Sequence, residues 1–326
     1  MSSRWATGLA CTLIVVAACS SAPVRHPPAA VTHHAPGPVI DQDFPDPDVL
    51  RVGGTYYAYA TQPTGGGRNL QMATSTDLRK WTVATADPLP RLPAWAISGR
   101  TWAPDVSAVA AGAGGGYVMY FAAHSASPDV QCIGVARGRS PAGPFTPVEK
   151  APLVCPAADG GAIDPASYVE PGGRRYLLWK NDGNCCGKDT WLYLQPVSPD
   201  GVRLTGPPQR LIKQDQPWEG HLIEAPVLIR HGAEYVLFYS ANDYSGADYA
   251  TGYATSARLT GPYRKAAGPL LTSAGSKVIG PGGEDAFTDP SGRTHIAFHG
   301  WDETISYRGM YVADLNWRGG VPVVAG

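Results

Sequence analysis

Five short apolar and aromatic runs punctuate the chain. They are Tyr56-Tyr57-Ala58-Tyr59-Ala60, Tyr117-Val118-Met119-Tyr120-Phe121, Tyr176-Leu177-Leu178-Trp179, Tyr235-Val236-Leu237-Phe238-Tyr239 and His295-Ile296-Ala297-Phe298-His299. Their first residues, 56, 117, 176, 235 and 295, lie 61, 59, 59 and 60 apart. Each run follows a glycine turn: Gly53-Gly54, Gly114-Gly115-Gly116, Gly172-Gly173, Gly232 and Gly292. Another run follows each, starting near Leu70, Cys132, Trp191, Gly252 and Met310. Such runs between turn residues predict strands, here the second and third strands of successive hairpins. No segment keeps a 3.6-residue apolar period. Five all-strand units of about sixty residues predict an all-β, five-bladed propeller. One unit cannot cover both its faces, but a closed ring can. Residues 40–326 are therefore expected to form a single domain.

Composition agrees. The 326 residues include 39 glycines and 31 prolines, which suits many turns. A hydrophobic content of 44% with only 16% charged residues excludes a disordered chain. A formal net charge of -1 gives no global field for nucleic acid.

The N-terminus reads differently. Arg4 followed by the ten-residue apolar run Leu9 to Ala18 fits a secretory signal peptide and is too short to span a bilayer. Val16-Ala17-Ala18-Cys19 resembles a bacterial lipobox, so residues 1–19 are expected to be a lipoprotein-type signal, with a lipid anchor at Cys19. Residues 20–39, rich in Pro and His, predict a stiff tether. Export makes the remaining Cys132, Cys155, Cys185 and Cys186 candidates for disulfides, with Cys132–Cys155 and a vicinal Cys185–Cys186 favoured among three connectivities. The expected location is the outer face of the cell membrane, or the medium.

An acid precedes each hairpin. Asp46, Asp105, Asp164, Glu224 and Glu284 lie 59, 59, 60 and 60 apart, several of them beside proline, as in Phe44-Pro45-Asp46-Pro47 and Ile163-Asp164-Pro165. Innermost strands surround a propeller's axis, so acids at one phase of each would converge on one mouth. Clustered carboxylates raise one another's pKa and gain a fold little. Glycosidic hydrolysis needs such separation, with one protonated acid and one ionised base. Each acid could instead simply order its inner strand.

At these residues the chain resembles glycoside hydrolase family 43, from about Asp41 to Pro322. The motifs are Asp46-Pro47, Trp102-Ala103-Pro104, Ile163-Asp164-Pro165 and Ile223-Glu224-Ala225-Pro226, in order and one unit apart. The resemblance implies a five-bladed propeller and an exported, inverting hydrolase of arabinofuranosidic or xylosidic bonds in polysaccharides or oligosaccharides. It implies Asp46 as general base, Glu224 as general acid, and Asp164 as the group that tunes the acid and holds the sugar. Trp102 and Asp105 would contact substrate, Trp102 by stacking. Arg308 would meet sugar hydroxyls. His299 matches a His that in some members contacts an axial metal, often calcium, while a buried core His is an equal reading. No cofactor is expected for the chemistry, and the protein is expected to be a monomer.

Two departures stand out. The fifth unit reads Gly280-Pro281-Gly282-Gly283 where many members have His last, and the fourth reads Glu-Ala-Pro-Val where β-xylosidase members often have Glu-Gly-Pro-His. The second departure favours arabinan-type substrates. The competing readings are a carbohydrate-binding propeller without turnover and a retaining glycosidase, with Asp46 as a nucleophile about 5 Å from Glu224.

Overall fold

The computed structural model describes residues 1–2, 37–148 and 150–325. The signal segment, Cys19 and nearly all of the tether lie outside the described residues. Five four-stranded antiparallel sheets follow one another along the chain. Blade 1 holds β1 (Asp48–Val52), β2 (Thr55–Ala60), β3 (Gln71–Ser75) and β4 (Thr82–Val83). Blade 2 holds β5 (Ala96–Ala108), β6 (Tyr117–Ser125), β7 (Gln131–Gly138) and β8 (Thr146–Pro147). Blade 3 holds β9 (Ala162–Val169), β10 (Arg175–Asn181), β11 (Trp191–Val197) and β12 (Gln209–Lys213). Blade 4 holds β13 (Ile223–His231), β14 (Glu234–Ala241), β15 (Ala250–Ser256) and β16 (Arg264–Lys265). Blade 5 holds β17 (Ile279–Thr288), β18 (Thr294–Trp301), β19 (Arg308–Arg318) and β20 (Val321–Ala325). The five apolar runs are β2, β6, β10, β14 and β18, as their pattern predicts.

Inner strands touch in the order β1, β5, β9, β13, β17, and β17 returns to β1, so the ring is closed. The apolar core is divided accordingly. Each of five clusters joins two neighbouring blades, for example Leu178 and Leu194 of blade 3 with Leu228 and Leu237 of blade 4. Each fully buried Leu or Phe contributes about 1.5–3 kcal/mol by leaving water. A lone blade would leave that surface wet.

Closure has a stitch. Between blades 1 and 5, Ile40 pairs with Met310, and the Val39 and Phe44 amides donate to the Met310 and Arg308 carbonyls. Ile40 and Phe44 are buried in the same interface. Elsewhere, Cys132–Cys155 joins β7 to the segment paired with it at Ile133↔Val154, and Cys185–Cys186 closes a turn after β10. These are the two expected pairings.

Candidate active site

Each inner strand is preceded or broken by a residue with positive φ beside its acid: Asp46 (54°), Ala103 (43°), Asp164 (52°), Ala225 (50°) and Gly283 (57°), while β5 and β17 carry a second at Gly99 and Gly280. This left-handed backbone costs a residue bearing a Cβ about 1–2 kcal/mol. Four of the five are followed by proline, namely Pro47, Pro104, Pro165 and Pro226. Proline lacks the N–H that a strand ladder would need, so it fits a bulge. Register shifts mark these bulges in blades 2 to 5.

The bulges correct the expectation of five acids at one phase. Asp46 and Asp164 occupy the left-handed position. Glu224 stands one residue before it, Glu284 one residue after it, and Asp105 two after it. Side chains alternate direction at each strand residue, so near-equal spacing in sequence does not give equal direction.

The result is two layers of acids. In the lower layer each carboxylate takes a backbone N–H from the next blade. Asp285 accepts from Val49 (2.9 Å), Asp48 from Val106 (2.9 Å) and Asp105 from Ser167 (2.8 Å). Asp105 thus latches blade 2 to blade 3, although it also lines the pocket. Burial pushes these acids up, Asp285 to about 7 and Asp48 well above its usual range, with repulsion from Asp105 adding to both.

The upper layer holds Asp46, Asp164 and Glu224. It faces a pocket of about 560 Å³ that is also lined by Trp102 and Arg308. Trp102 is half-buried and also borders an adjoining groove of about 460 Å³ that contains Trp301 and Tyr307. Arg308 lies over the rings of Tyr244 (4.8 Å) and Trp301 (5.7 Å). The structure therefore brings every expected substrate-side residue to one mouth, with Asp105 beneath it.

Second strands supply partners to the site's acids from one register position per blade, apolar only in blade 2. That position lies two residues past the one paired with the lower layer and is occupied by Thr61, Ala122, Lys180, Ser240 and His299. Thr61 Oγ1 donates to Asp46 Oδ2 (2.6 Å), and Ser240 Oγ donates to Glu284 Oε2 (2.6 Å). His299 Nδ1 lies 3.2 Å from Asp46 Oδ1, and Lys180 Nζ donates to Glu224 Oε2 (3.1 Å). Lys180 and Tyr249, whose hydroxyl donates to Glu224 Oε1 (2.8 Å), are site residues that the sequence reading missed. Lys180 had a signal: it is a lone cation ending the apolar run Tyr176–Trp179.

The electrostatics of the acids diverge. Burial pushes Asp46 up, but Arg308 Nη1 at 3.4 Å, with His299 and Thr61, outweighs it and holds the carboxyl far below the usual range. Burial, then the charge of Glu224, push Asp164 up to about 8, against the pull of Lys180. Asp164 Oδ2 accepts the Ala225 amide (2.9 Å). At neutral pH the upper layer therefore holds an ionised carboxylate on one side and a proton on the other. That is the division of roles acid–base hydrolysis requires.

His299 does not suit a metal. It is fully buried, its Nδ1 faces Asp46, and its Nε2 lies 3.4 Å from the Arg308 guanidinium, a cation where the ion would stand. Among the described residues no three His, Cys, Asp or Glu side chains are grouped to hold one. Burial and Arg308 also hold His299 below the usual imidazole range.

Comparison with known proteins agrees with this geometry. Residues 35–322 match the family described as glycosyl hydrolases family 43. The chain is 27% identical over 285 residues to a probable arabinan endo-1,5-alpha-L-arabinosidase A of Aspergillus flavus, covering 80% of this chain and 83% of that one. It is 25% identical over 307 residues to an extracellular exo-alpha-(1->5)-L-arabinofuranosidase of Cellvibrio japonicus, covering 85% and 84%. Among solved structures, a thermostable family-43 glycoside hydrolase superposes with a TM-score of 0.77 at 26% identity, covering 90% of this chain and 96% of that one. With its five blades, its paired carboxyl environments and a family match across nearly the whole propeller, the chain belongs to glycosyl hydrolase family 43 and is a glycoside hydrolase.

Proposed function

We propose that the protein is an exported, inverting hydrolase of α-1,5-linked arabinofuranosyl chains, with Asp46 as general base and Glu224 as general acid. The observation that carries this reading is the pair of unlike carboxyl surroundings in the upper layer. Asp46 has the Arg308 guanidinium at 3.4 Å and the Thr61 hydroxyl at 2.6 Å, which favour its ionised form, while Asp164 is buried beside the Glu224 charge, which raises it. In this scheme Asp46 accepts a proton from the attacking water as the water's oxygen bonds the anomeric carbon. Glu224 delivers a proton to the departing oxygen as the glycosidic bond breaks, and Asp164 is the neighbour that keeps that proton at hand. Trp102 offers a ring face to the sugar, and Arg308 offers N–H donors to its hydroxyls. The names of the two arabinan-acting relatives support arabinan over xylan, as does Glu224-Ala225-Pro226-Val227.

The signal-like N-terminus and two disulfides support export, with Cys19 as the anchor. Mass spectrometry of the mature N-terminus tests this.

The decisive experiment is hydrolysis of linear arabinan and aryl α-L-arabinofuranosides by the purified enzyme. Glu224→Gln and Asp46→Asn are each expected to lose at least about 10²-fold in kcat. Proton NMR of the first-formed sugar is expected to show the inverted anomer. A retained anomer rules out Asp46 as base, and parental rates in the variants rule out the site.

A further inference from the structure

We propose that Lys180 is a positioning residue of the hydrolysis, fixing the Glu224 carboxyl and tying it to the turn Gly183–Cys186. The inference rests on the reading of Glu224 as proton donor. Lys180 is the penultimate residue of β10, with its side chain fully buried. Its Nζ donates to Glu224 Oε2 (3.1 Å) and Asn184 Oδ1 (2.7 Å), and it stands 3.6 Å from Asp182 Oδ1. Tyr249 holds the other oxygen of the same carboxyl. Both Glu224 oxygens are thus pinned from two different blades.

Burying an ammonium costs several kcal/mol unless it is well paired, and an apolar residue at such a place is often as stable. Blade 2 illustrates the point, because its equivalent position is Ala122, fully buried and apolar. In blades 1, 4 and 5 the same position is polar, and each of those side chains serves an acid. Lys180 follows the pattern of those three. Unlike them, it also holds the turn that follows its own strand. Asn184 and Cys185 both line the pocket, and Cys185 is bonded to Cys186 within that turn. The pocket wall and the proton donor are therefore joined through one cation.

A positioning role predicts a dependence on the leaving group. An aryl arabinofuranoside whose phenol is strongly acidic departs without a proton, whereas one with a weakly acidic phenol needs the donor in place. Lys180→Met is expected to lower kcat about tenfold or more on the weakly acidic phenol and far less on the strongly acidic one, with KM little changed. Lys180→Arg, which keeps the charge, is expected to recover part of the loss. Should Lys180→Met fail to give folded protein by circular dichroism, Asn184→Ala removes the exposed anchor of the same ammonium and is expected to show the same selectivity, more weakly. Equal losses on the two substrates, or parental rates in these variants, overturn the proposal. Glu224→Gln is measured alongside. If it lacks the leaving-group split, the reading of Glu224 is what fails. If it shows the split and the Lys180 variants do not, only the role of Lys180 fails.

Discussion

Glycine at position 283 carries a physical message that its sequence context only hinted at. A Cβ there would stand 2.4 Å from His299 Nδ1 and 2.8 Å from Asp46 Oδ1, on a backbone with φ of +57°. The His expected at this point from the family resemblance could not coexist with His299 as it stands. The space has gone instead to the contact between His299 and Asp46. Glu284, its neighbour, takes the place that proline holds in the other blades. Burial pushes Glu284 up to about 8, against hydrogen bonds from Ser240 and Thr251, with the Glu224 charge adding a little. Its ordinary value is 4.5. Between those pH values the folded chain keeps a proton that the unfolded chain has released. This contribution to stability is therefore full below pH 4.5 and declines as pH rises to about 8. Glu284→Gln removes that decline. Its Tm relative to the parent is expected to be higher at pH 9 than at pH 5, and a pH-independent difference excludes the assignment.

The hairpins were legible as elements, because their second strands are apolar runs set off by glycine. The phase of the inner strands was not. Asp105 lies 59 residues from both Asp46 and Asp164, yet it points into the lower layer. Proline was the better guide, since Pro47, Pro104, Pro165 and Pro226 each follow the left-handed residue. The partners were half legible. Thr61, Lys180, Ser240 and His299 are the polar residues at the ends of the runs, but only pairing shows that they share a register. Tyr249 lay beyond sequence reasoning, because its role depends on the loop before β15 bringing its hydroxyl to Glu224. At this scale the disulfide Cys132–Cys155 can be tested. It closes a span of 23 residues and holds the Ile133↔Val154 bridge, away from the pocket. Cys132→Ala with Cys155→Ala is expected to cost about 2–4 kcal/mol. Thermal unfolding reports that loss, and KM is expected to stay unchanged.

The closed ring was predicted by repetition, but the segment that seals it was not. The stitch uses residues before the first repeat, among them Ile40 and Asp41, which carry no strand pattern. Ile40 packs against Met310, and Asp41 accepts a hydrogen bond from Tyr307 (2.6 Å). Ile40→Ala is expected to lower stability by about 2–4 kcal/mol, as for other buried aliphatic truncations. Because the stitch lies beside Asp46, heat inactivation of this variant is expected to begin together with unfolding. Activity that outlasts loss of the near-ultraviolet circular dichroism signal argues against this coupling.

That seam also sets the order in which a functioning molecule comes into being. Asp46 is among the earliest propeller residues to leave the ribosome, and the two groups beside it, His299 and Arg308, are among the last. A nascent chain with four finished blades already has Glu224, Asp164 and Lys180 in hand, but its Asp46 has neither guanidinium nor imidazole beside it. With Asp46 as the proposed base, such a chain is expected to cut nothing. On that scheme competence arrives only with the final stretch of blade 5, and a prematurely ended copy is expected to be silent rather than weakly active.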